Sequence, residues 1–202
     1  VLDHVTDDQL RRLIAVARQA RIRAEQGRDS DALALYTQVY NMYGPGAMAF
    51  DETNQPTGWV TEPGGNFSGD DKLAVLPFAA EARFNMAEPA FMAARNSSLG
   101  TWEDLQENME TRFARMGDAQ KELYEVNAFG DASWAIAARS RIGETFYDFY
   151  KELIALAAAE GELVEFAQDM YLHADHQQQM CEMLAAQITE RGGLTVSDIR
   201  EI

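Results

Sequence analysis

The sequence is short of the residues that usually carry chemistry. Cys181 is its one cysteine, so no disulfide can close within the chain and no cysteine zinc site can be built. Histidine occurs only as His4, His173 and His176, and lysine only as Lys72, Lys121 and Lys151. There is no Gly-x-Ser-x-Gly nucleophile turn and no glycine-rich phosphate loop. These gaps leave nucleophilic catalysis and nucleotide chemistry without support, and no enzyme activity or cofactor is expected. No apolar run is long enough to span a bilayer. Positive charge is scarce too: 17 Lys and Arg face 33 Asp and Glu, a formal charge of -16. Such a field repels a phosphate backbone, which excludes general nucleic-acid binding, and it opposes docking on an anionic membrane. The partners that suit it are proteins of basic or mixed surface.

What the chain does have is core material. Of its 202 residues 47% are hydrophobic and 10% aromatic, enough for one sizeable domain. The apolar residues recur at helical spacing. From Asp131 to Glu160 a stripe runs through Ala135, Ala138, Ile142, Phe146, Phe149, Leu153 and Leu156, each step being three or four residues. Trp134, Tyr147 and Tyr150 widen it, so neighbouring helices must cover this one, and its dense aromatics read as core. Thr6-Asp7-Asp8-Gln9 reads as a capping box opening a first helix. Gly27 separates that helix from a second, which Gly44-Pro45-Gly46 ends. Two helices joined by so short a break form an antiparallel hairpin.

Residues 44 to about 70 are punctuated by Pro45, Pro56, Pro63 and six glycines, and read as one long irregular loop, a place for function. Phe50, Trp59, Val60 and Phe67 are candidates to tie it down. A third helix is expected over about Asp71–Ala94, bent or locally broken at Pro89, and a fourth from Thr101. A sixth follows Gly161, and Ser197 begins another, which suggests a fragment of a longer chain.

Two of these helices share a pattern. Residues 82–91 align without gaps on 138–147, with the template Ala-Arg-x-x-aliphatic-small-Glu-x-x-aromatic. Gly143, the small member of the second copy, sits mid-helix, where glycine costs about 1 kcal/mol against alanine and needs a packing reason. Aliphatic-Gly-x-x-aromatic in Ile142-Gly143-Glu144-Thr145-Phe146, a relaxed form at Met86-Ala87, and Gly27 with Ala32, Tyr36 and Gly44-Pro45 resemble the tetratricopeptide repeat. The chain is similar to divergent members of that group from myxobacteria and related bacteria. The resemblance implies an all-α fold of antiparallel helical hairpins stacked as a short tetratricopeptide-like array. Residues 1–202 would form one repeat-type domain. Its function would be protein–protein assembly, with a multi-subunit complex of the bacterial periplasm or envelope as the partner.

One stripe points elsewhere. Asp169, His173, His176, Met180 and Met183 lie four, three, four and three residues apart, along one face of the sixth helix. Asp169, His173, His176 and Met180 are the candidate metal ligands: imidazole with thioether suits copper or haem, imidazole with carboxylate zinc or iron. A packed helix with methionines filling gaps accounts for the same spacing. Arg139 and Arg141 are candidate anion ligands, although Glu144 stands at i+3 from Arg141, the spacing of an ion pair.

Overall fold

Gly27 makes the first reversal of the chain. Its φ of 68° is a left-handed conformation that side chains resist, and the N–H of Arg28 returns to the carbonyl of Arg23 at 2.9 Å. The computed structural model describes residues 2–52, 54–101 and 103–159. Before Gly27 runs α1 (Leu2–Glu25) and after it α2 (Asp29–Tyr43), the antiparallel hairpin expected. Helix α1 starts earlier than the Thr6 box suggested. Asp7 pairs with Arg11 at 2.5 Å, one turn on.

The segment after α2 corrects an expectation. In place of an irregular loop stand β1 (Ala47–Phe50) and β2 (Pro56–Thr61), an antiparallel two-stranded sheet. Ala47 lies opposite Thr61 and Met48 opposite Trp59, with register irregularities after Ala47 and Ala49. The turn is tied by Asp51, whose N–H donates to the Gln55 carbonyl at 3.0 Å and whose Oδ1 accepts the Gln55 N–H at 2.9 Å.

Three long helices follow: α3 (Gly69–Arg95), α4 (Leu105–Ala128) and α5 (Ala132–Ala159). Helix α3 continues through Pro77 and Pro89 without a break. Both prolines lie on its exposed side, where water can take the carbonyls of Leu73 and Asn85 that each proline leaves without a helical donor. The opposite side is clamped, with Ala79, Ala80, Ala87 and Phe91 fully buried. The start expected at Thr101 is instead a turn, in which the Thr101 hydroxyl donates to Asp104 at 2.9 Å. At the head of α5 the Asp131 side chain accepts the N–H of Trp134 at 3.1 Å, as a capping residue should.

The closely packed pairs are α1 with α2, α2 with α3, α1 with α3, α3 with α4, α4 with α5 and α3 with α5. Helix α3 is thus the hub. The core follows the same order. One cluster joins α1, α2 and the first half of α3 around Leu13, Tyr36, Val39 and Val75. A second joins Ala87, Leu123, Val126 and Ala138 from α3, α4 and α5. A third gathers Leu99, Met116, Phe149 and Tyr150 near the far end. The all-α, helical-hairpin architecture is the one the sequence indicated. No helix among the described residues is long and apolar enough to cross a membrane.

Candidate functional site

The metal stripe of Asp169, His173, His176 and Met180 lies outside the described residues. Among the residues described, no group of three or more His, Cys, Asp or Glu side chains is placed to hold a metal. Arg141 is engaged in ion pairs, 2.9 Å from Glu144 and 3.3 Å from Glu88 on α3, while Arg139 is exposed. Asp70 and Asp71 lie in the first turn of α3, where the helix dipole favours acids.

Charged groups stitch the helices together. Arg21 of α1 reaches Glu81 of α3 through Nε at 2.9 Å and Nη2 at 2.5 Å. This fork on one carboxylate is a geometry arginine forms and lysine cannot. The Tyr36 hydroxyl donates to the same carboxylate at 3.4 Å. Burial first, and Glu81 second, push the Tyr36 phenol up to about 12, and the bond to Glu81 raises the Arg21 pKa further. Arg83, also buried, holds Glu122 at 2.5 Å and Glu125 at 2.9 Å on α4. Burial pulls its pKa down, and the two carboxylates more than reverse that, so that Arg83 stays firmly charged. Arg112 of α4 is 1% exposed and lies 3.5 Å from Glu152 on α5. Here burial wins and lowers its pKa. Glu152 also accepts the Ser98 hydroxyl and the Leu99 N–H, each at 2.8 Å, tying the α3–α4 connection to α5.

Of the recesses on the surface, two bear on the β-hairpin and on Pro89. The first, of about 280 Å³, lies at the base of the β-hairpin, with Tyr43, Trp59, Lys72, Leu73 and Phe129 in its wall. The aromatics interlock: the Phe129 ring is 5.9 Å from Tyr43, 6.1 Å from Tyr40 and 6.1 Å, edge-on, from Trp59. Gly64 lets the chain pass over this cluster. Its φ is 85°, and a Cβ there would sit 2.6 Å from Tyr43 Cζ and from Lys72 Cε. At the rim, Leu73 is 66% exposed, and on β2 Val60 is 72% exposed. Trp59 and Phe67 do tie the segment down, whereas Val60 faces solvent. Strand β2 is exposed at every position except Trp59.

The second recess, of about 310 Å³, lies between the start of α2 and the middle of α3, with Ser30, Leu33, Asn85, Glu88, Pro89 and Met92 in its wall. Neither Leu73 nor this second recess follows from the sequence pattern. Leu73 falls within an apolar stretch with no sign of which face it takes, and the recess joins residues more than fifty positions apart.

No family model, no curated protein and no solved structure matches this chain. The functional reading therefore rests on the surface itself. A helical frame carries an exposed strand, large apolar side chains in the open, of which Val60 and Leu73 are the most exposed, and shallow recesses.

Proposed function

We propose that the protein is a non-enzymatic helical-repeat scaffold that assembles a larger complex through protein–protein contacts. Leu73, exposed in the wall of the aromatic-lined recess, carries this reading, with Val60 exposed on the neighbouring strand β2: a large side chain left in water at a preformed hollow is an anchor for a partner. The order of packing supports the repeat half of the reading. Helices α1 and α2 pack as a pair, α3 and α4 as the next, and α5 takes the place in the series after α4 that α3 takes after α2. Ala82 of α3 packs in the cluster built on α1 and α2, and its counterpart Ala138 of α5 packs with α3 and α4. A stack of that kind buries on each unit the face its neighbour would expose.

The test is paired loss of binding without loss of fold. Val60→Glu and Leu73→Glu place charge on exposed sites, so the thermal midpoint stays within a few degrees. Capture of the specific partner in crosslinked cell extract falls sharply. A monodisperse monomer that recovers no specific partner contradicts the proposal.

A further inference from the structure

Pro89 is an interior proline of α3, on its exposed side. An interior proline costs about 3 kcal/mol against alanine, and α3 carries this one on the wall of the second recess. Its ring removes the N–H that would have bonded the carbonyl of Asn85, another residue of the same wall. The next residue back, Glu88, keeps one carboxylate oxygen 3.3 Å from Arg141 and has the other, Oε2, buried without a hydrogen-bond partner. Asp29, across the recess on α2, adds a second carboxylate. The Tyr36 hydroxyl, which also borders the space, is spent on Glu81. No lysine or arginine is in the wall; Ser30 is polar, and Ala24, Ala32, Leu33, Met92 and the proline ring are apolar.

We propose that this recess receives a basic side chain, arginine or lysine, presented by the protein partner. The inference rests on the scaffold reading and supplies the chemistry of its contact. The walls offer acceptors and negative charge for a guanidinium or ammonium, and apolar surface for the aliphatic stem beneath it. A volume of about 310 Å³ lies at the small end for ligand sites, room for one long side chain. The formal charge of -16 draws basic segments toward the whole surface. The recess under the β-hairpin does not share this preference, because Lys72 and Glu62 both line it.

The experiment is an NMR titration of the full chain with three capped pentapeptides, Ac-Gly-Leu-X-Leu-Gly-NH2, in which X is arginine, lysine or the neutral isostere citrulline. It is run at about 150 mM salt, where diffuse attraction is screened beyond about 8 Å. The arginine and lysine peptides shift Ser30, Asn85 and the Met92 methyl in a saturable way. The citrulline peptide binds about 10-fold more weakly, the difference expected for losing one charged hydrogen bond. Pro89→Ala restores the helical N–H and weakens the basic peptides several-fold. Asp118→Asn, which removes one negative charge from an exposed site on α4, leaves their affinity unchanged. Equal binding of citrulline, shifts confined to other surfaces, no saturable shift, or indifference to Pro89→Ala overturns the proposal. Partner capture that depends on Val60 and Leu73 but not on this recess would remove the inference and leave the scaffold reading standing.

Discussion

Glu88 and Glu144 hold equivalent places in the two copies of the ten-residue pattern, and a single guanidinium, that of Arg141, pairs with both, at 3.3 and 2.9 Å. The same guanidinium lies over the Phe91 ring, 4.7 Å from its centroid. Arg95, four residues beyond Phe91, adds Asp148 at 2.9 Å and Glu144 at 3.7 Å. The repeated glutamates are therefore part of the joint between α3 and α5. These side chains are about one-quarter to one-half exposed, so Arg141→Ala costs about 1 kcal/mol. Urea unfolding at low and at high salt checks this: the loss is larger at low salt, where screening is weak.

Arg83 joins α3 to α4 more deeply. Its side chain is 6% exposed, against 19% for Glu125 and 43% for Glu122. Truncation strands Glu125 without its partner, while Glu122 recovers water. Arg83→Ala is expected to cost about 2–3 kcal/mol, below the 3–5 kcal/mol of a fully buried pair. Arg83→Lys recovers only part of this, because one ammonium cannot reproduce the fork to two carboxylates. Urea midpoints of the two variants give the comparison.

Alkali should loosen the fold through Tyr36. Its phenol ionises near 12 in the folded chain instead of near 10. The folded state therefore holds the proton more tightly than the unfolded one. The stabilisation is complete below pH 10 and is lost as the pH rises from 10 to 12. Buried Tyr40, Tyr43 and Tyr150 are shifted in the same direction. Tyrosinate absorbance should rise together with loss of helical circular dichroism above pH 10, and Tyr36→Phe should move that transition to higher pH. Titration of all the tyrosines near pH 10 with the helices intact would contradict this.

Gly64→Ala tests how the β-hairpin is seated. The new methyl would meet the Tyr43 ring and the Lys72 stem at 2.6 Å, on a backbone with φ of 85°. Tyr43 is 1% exposed and cannot yield easily. The variant should lose more than about 1 kcal/mol and change the emission of Trp59, which packs on the same aromatic cluster.

The helices were legible because each has a strong stripe and a clear stop. Gly27 and the Gly44-Pro45-Gly46 run mark two of the boundaries to within a residue or two. The β-hairpin was hidden because its strands are four and six residues long, carry Pro56 and Gly58, and alternate poorly. Pro89 does not break α3, because its side of the helix faces water, which sequence cannot show. The interhelical pairs were the least legible part. Glu81, Arg83 and Arg112 are buried, yet polarity alone assigns them to solvent, and their partners lie tens of residues away. The Arg141–Glu144 pair was visible in advance because both residues share one helix turn.

The scaffold account is tested most directly by photo-crosslinking from the hairpin. A photoreactive amino acid is placed at Val60, at Leu73, or at Ala15, an exposed site on α1, in the cell that makes the protein. The account predicts the same discrete protein adduct from Val60 and Leu73, lost on competition by purified unlabelled protein, and none from Ala15. No adduct from either hairpin-side position, or equal labelling from all three, would contradict it.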